Sequence, residues 1–112
     1  MTSDFVTSYI TESGSPVEKI EYPEGMEELA STSLYSLDKL KDIEFPSTLK
    51  KISDYSISSC NSIEKVDLSN TETEYIGSYA FQDCNSLKEI YLPKTIKEIG
   101  QYAFPKSVTD IY

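Results

Sequence analysis

Leu87-Lys-Glu-Ile90-Tyr-Leu92-Pro93, with Ile96, Ile99-Gly100 and Ala103-Phe104 behind it, is the stretch from which the fold can be read. Ile90 and Leu92 alternate with Glu89 and Tyr91, the period of a strand that turns one face inward. Pro93 cannot donate a ladder hydrogen bond and ends the pairing. Ile96 and Ile99 return inward three apart, which suits a turn or a short extended return and not a long helix. Gly100 permits a bend that a Cβ would hinder, and Phe104 supplies a large core plug.

The same phrase occurs upstream and once more downstream. It reads Val17-Glu-Lys-Ile20-Glu-Tyr22-Pro23, Leu40-Lys-Asp-Ile43-Glu-Phe45-Pro46, Ile63-Glu-Lys-Val66-Asp-Leu68 and, unfinished, Val108-Thr-Asp-Ile111-Tyr112. The starts lie 23, 23, 24 and 21 residues apart, a spacing that marks a solenoid with one supersecondary unit per turn. Apolar columns follow from that register: Leu29, Ile52, Ile76 and Ile99; Leu34, Ile57, Phe81 and Phe104; Met26, Leu49 and Ile96, disturbed in the third coil. A single coil has two open apolar ends, so about three or more must stack before a core closes. The expected fold is an α/β-type repeat solenoid, predominantly β, with one parallel sheet. Its coils start at 17, 40, 63 and 87, and a closing strand occupies 108–112. Residues 1–16 stand outside the repeat. Phe5, Val6, Tyr9 and Ile10 lie among Ser and Thr before the turn-rich Ser13-Gly-Ser-Pro16, as a capping segment over the first coil or as an arm that docks on a partner.

Ile63-x-x-Val66-x-Leu68…Ile76-Gly77-x-x-Ala80-Phe81-x-x-Cys84-x-x-Leu87, and the coil that follows it, resemble the BspA-like leucine-rich repeat of 23 residues. Length, Pro, Ile-Gly, Ala-Phe and Cys all fall in phase over residues 17–112. The outer coils depart from the pattern, with Leu37 in place of Cys in the first and Pro105-Lys-Ser107 closing the last early. The resemblance implies a right-handed leucine-rich solenoid of the kind found in bacterial, protist or phage-associated surface proteins. It also implies binding to other proteins or matrix, without catalysis.

Composition narrows the function. Lys+Arg 10 against Asp+Glu 19 gives a net charge of −9 in 112 residues, which speaks against a nucleic-acid partner, since that binding lives on cationic side chains. No apolar run approaches the roughly 18 residues of a membrane span, and the N-terminus lacks the basic and apolar regions of a signal peptide. Localisation stays open between an intracellular or virion-associated protein and a piece of a secreted surface protein. Cys60 and Cys84 share one column; coil spacing permits a bridge, but two packed thiols are the expectation. Two sulfurs without any His make no tetrahedral metal site. The absence of His removes the commonest general base, and neither a nucleophile elbow nor a phosphate loop is present. No enzyme, no metal and no cofactor is expected.

The charges fall into columns. Glu18, Lys41, Glu64 and Lys88 alternate in sign, as do Lys19, Asp42, Lys65 and Glu89, a pattern that sets stacking register. Glu27-Glu28 followed by Lys50-Lys51 repeats it on the return. Glu21, Glu44, Asp67, Tyr91 and Tyr112 break the rule, running from acidic to aromatic. Tyr is enriched in recognition surfaces, although strands favour it on their own account. Glu21, Glu44, Asp67, Glu89, Tyr91, Asp110 and Tyr112 are therefore the candidate partner-binding residues. A second Tyr column, Tyr55, Tyr79 and Tyr102, reads as a stacking ladder. The expected function is a protein-recognition or adhesion module facing a protein or host-surface component. The alternative is a structural or adaptor subunit of a larger assembly, joined through the N-terminal arm or the terminal coils.

Overall fold

The computed structural model describes residues 17–112; the capping segment or arm expected at 1–16 lies outside the described residues. The repeat phrases form the front strands: β1 Lys19–Glu21, β4 Asp42–Glu44, β7 Lys65–Asp67, β9 Glu89–Tyr91 and β11 Asp110–Ile111. On the return run β2 Glu28–Leu29, β5 Lys51–Ile52, β8 Tyr75–Ile76 and β10 Glu98–Ile99, with β3 Leu34–Tyr35 and β6 Ile57–Ser58 beyond them. Every pairing is parallel between neighbouring coils. Among the described residues there is no helix. The chain is a parallel β-solenoid of about four turns with a closing strand, as its period requires.

The sequence reading provides for one sheet, whereas each coil contributes to successive ladders. The return ladder is the longest, in the order β10-β8-β5-β2, and the front is split into β1-β4 and β7-β9-β11. Two-residue strands on the return leave no room for a visible alternation, so they read as turns in sequence. Their backbone groups are nonetheless spent coil to coil: Lys50 N–H donates to Glu27 O at 2.8 Å and Gly77 N–H to Ile52 O at 2.7 Å.

The columns close into one core. Leu29, Ile52 and Ile76 are buried in one row, Leu34, Ile57 and Phe81 in another, and Ile43, Val66 and Ile90 line the front strands from inside. Cys60 and Cys84 are both buried free thiols. Hydrogen bonding to Cys60, then burial, push the Cys84 thiol far above its ordinary value. The longer third coil is absorbed by Thr71 and Thr73, both buried. The Thr71 hydroxyl lies 2.8 Å from that of Thr73, and Thr73 Oγ1 donates to Leu49 O at 3.2 Å, so polar side chains enter an apolar column without loss of partners.

One local expectation is corrected. Gly100 is not needed for a left-handed bend; that conformation sits at Thr32, Tyr55, Tyr79 and Tyr102, each with φ of 55–56°. Glycine is needed because coils approach closely: a Cβ at Gly77 would lie 2.7 Å from the Ser53 carbonyl carbon, and one at Gly100 2.7 Å from that of Gly77. The last coil is the other departure. Ile76 and Ile90 are 2% and 0% exposed, but their column successors Ile99 and Ile111 are 42% and 55% exposed. Ile99, expected as an inward core residue, lies in the last described coil and is exposed there.

Candidate recognition surface

The front face gathers all seven candidate residues, because each belongs to a repeat phrase at an outward-facing strand position or one residue past it. Glu21 stands in register with Glu44, Asp67 with Tyr91, and Glu89 with Asp110. The split between β4 and β7 divides them into two groups of different chemistry.

The first group is bridged by a lysine of the chain itself. Lys19 lies 3.3 Å from Glu21, 3.4 Å from Glu44 and 4.0 Å from Asp42. The hydrogen bonds that Lys19 donates to the Glu21 and Glu44 carboxylates raise its ammonium above its ordinary value. Glu21 and Glu44 are thus held in a shared ion cluster in which one ammonium meets three carboxylates, so their charge is reduced but not cancelled. Exposed pairs of this kind contribute roughly 0–1 kcal/mol each; their effect is on local geometry.

The second group is aromatic and acidic. Tyr91 and Tyr112 stack with ring centroids 4.8 Å apart and planes at 18°, an offset arrangement favoured by ring quadrupoles. Lys65 places its ammonium 5.4 Å from the Tyr91 centroid, within cation–π range. Sequence reading assigned Lys65 to a register pair with Glu89, yet the described ion pairs do not include those two side chains. The signal for the ring contact was available: Lys65 and Tyr91 are diagonal neighbours, two places apart on adjacent strands, and such pairs reach each other when one is aromatic.

Asp67 curls back to Ser69, accepting from its hydroxyl at 2.6 Å and its N–H at 2.9 Å; these bonds hold the carboxyl below the usual range. Tyr91 is pushed up by desolvation, then by Glu89, Asp67 and Asp110, and Tyr112 is pushed up first by Asp110. The tyrosine pair therefore sits in a negative field. Tyr112 is 63% exposed, so one outer ring face is open to a ligand.

The other columns behave as structure. Tyr55 stacks on Tyr79 at 5.2 Å and Tyr79 on Tyr102 at 5.4 Å. Only two of the anticipated alternating contacts, Lys41 with Glu18 and Lys19 with Asp42, approach to 4.0 Å, which fits a role in register over one in stability. Surface hollows of about 380–430 Å³ are shallow and polar-lined at the β4–β7 split. Among the described residues no group of three or more His, Cys, Asp or Glu could hold a metal ion, and no helix is long and apolar enough to cross a membrane.

Comparison with known proteins agrees with this geometry. The model of the BspA type leucine rich repeat region matches residues 7–111 in six copies, starting upstream of the first described coil. No curated protein and no solved structure matches the chain. Repeats of this family generally mediate protein–protein interactions and are typically non-enzymatic. With repeat length, coil architecture and family model in agreement over nearly its whole length, the chain belongs to the BspA type leucine-rich repeat family.

Proposed function

We propose that this protein is a non-enzymatic recognition module that presents the β7-β9-β11 half of its front face to a protein or host-surface component. The observation that carries the reading is the stacked pair of half-buried Tyr91 and exposed Tyr112 beside Asp67, Glu89 and Asp110. Two rings fixed against each other offer contact area at low entropic cost, and the surrounding carboxylates select a basic partner by charge. Glu21 and Glu44 belong to the same surface but act at its edge, since Lys19 already occupies them.

The test is a protein with both Tyr91→Ala and Tyr112→Ala. It unfolds within a few degrees of the wild type, because neither ring plugs the core, while capture of the wild type's partners from the surface of host cells falls by at least about 30-fold, the effect of losing one hot-spot contact. Unchanged capture by the folded variant would overturn the assignment. A second reading, a subunit docking into a larger assembly through its terminal coils, draws support from the exposure of Ile99 and Ile111 at the last coil.

A further inference from the structure

The second and third coils are joined less fully than their neighbours. Among the described strands the first and second coils share the ladders β1-β4, β2-β5 and β3-β6, and the third and fourth share β7-β9 and β8-β10. Between the second and third coils there is only β5-β8. The front of that junction is unpaired, and hollows of about 380 and 430 Å³ lie along it. Cys60 belongs to the second coil and Cys84 to the third, so one thiol stands on each side of the junction. Leu37 fills their column in the first coil, and the last coil has no cysteine.

The backbone holds the two cysteines in register. Just before the pair Ser59 N–H donates to Gln82 O at 2.8 Å, and just after it Asn85 N–H donates to Asn61 Oδ1 at 3.3 Å. Stacked strands lie about 4.8 Å apart, inside the range of about 4.4–6.8 Å that a disulfide needs between its Cα atoms. The Cys84 thiol donates to Ile57 O of the second coil at 3.6 Å, and the two thiols lie within hydrogen-bonding reach of each other. We infer that Cys60 and Cys84 form a covalent modification site: a chain that folds in the presence of a small disulfide, such as oxidised glutathione, closes a bond between them that staples the second coil to the third. One cysteine thiolate of the unfolded chain attacks the glutathione disulfide, keeping one half and releasing the other. As the coils stack, the second cysteine thiolate displaces the bound half. Both thiol protons and two electrons thus end on two glutathione molecules, and one sulfur–sulfur bond is exchanged for another. The oxidant acts before the stack closes, because folding buries both sulfurs and the raised Cys84 thiol then supplies little thiolate.

This goes beyond the recognition reading and does not depend on it, since neither cysteine reaches the surface. The whole chain is unfolded with reductant, then refolded either with dithiothreitol or with mixed reduced and oxidised glutathione. After dithiothreitol both thiols react when the protein is denatured again; after glutathione neither does, and the monomer is lighter by two hydrogens. The bridge closes a loop one coil long, so the folded-to-unfolded ratio rises on the order of a hundredfold over that of the reduced protein, read from urea midpoints without reductant. Cys60→Ala and Cys84→Ala, each a small apolar replacement, unfold at the same midpoint from either buffer. The comparison of the two wild-type preparations stands even where a variant folds poorly. Two thiols left after refolding with glutathione, glutathione retained on either cysteine, bridges formed only between chains, or a bridged monomer no more stable than the reduced one would each overturn the inference.

Discussion

Tyr22 is 6% exposed in the first coil, and its hydroxyl has no hydrogen-bond partner among the described residues. Desolvation, with a smaller contribution from Cys60, pushes its ionisation far above the ordinary value. A buried unpaired hydroxyl costs stability, so Tyr22→Phe is neutral or stabilising by up to about 1 kcal/mol. The sign with pH follows from linkage. The folded protein holds this proton longer than the unfolded chain, so stability is full below the unfolded value near ~10 and falls as pH rises above it. The packed Cys60–Cys84 thiols are present in both proteins, so their own pH dependence cancels in the comparison. Urea unfolding at neutral and alkaline pH is expected to give the Phe variant the shallower loss; equal slopes would rule out the buried phenol as a source. At this scale the sequence was only partly legible. Tyr22 could be placed in an inward column, but whether a neighbouring coil offers its hydroxyl a partner depends on atoms far apart in the chain. Gly100 shows the same limit: its presence is visible, and its cause is the backbone of the preceding coil.

Among elements, the row that ends in Phe81 and Phe104 separates what a repeat implies from what its position delivers. The two rings lie 5.9 Å apart at 32°, and sequence makes them equivalent plugs. Phe81 is fully buried between coils, while Phe104 is half-buried in the last one. Truncating a fully enclosed Phe removes its transfer energy and leaves a cavity. Phe81→Ala is therefore expected to cost about 3–5 kcal/mol, and Phe104→Ala less than half as much, read from denaturant midpoints at constant slope. Similar losses at both positions would show that the last coil is covered in solution. The front strands were legible because three alternating residues separate inside from outside; the return strands are two residues long, too short to carry a period. The Thr71–Thr73 accommodation in the third coil was visible only as a disturbance, since its remedy is a pair of hydroxyl hydrogen bonds.

For the whole molecule, stability is a sum of coils and their interfaces, as in other stacked repeats. The interfaces thin toward the C-terminus, where Ile99 and Ile111 are exposed, so opening begins there. Hydrogen exchange is expected to run fastest at the amides of β10 and β11 and slowest at β5, β7 and β8, where both neighbouring coils are in place; uniform protection would contradict a coil-by-coil architecture. The candidate surface divides in the same way. That Glu21, Glu44, Asp67, Tyr91 and Tyr112 share one face followed from their common place in the phrase. Their separation into a half bridged by Lys19 and a half built around the tyrosine pair did not. By itself the sequence determined the solenoid, its period and its inward columns, because these depend on the spacing of apolar residues along one strand of text. Only the tertiary structure decided which carboxylates share a lysine and which rings stack, because both depend on what the adjacent coil places within a few ångströms.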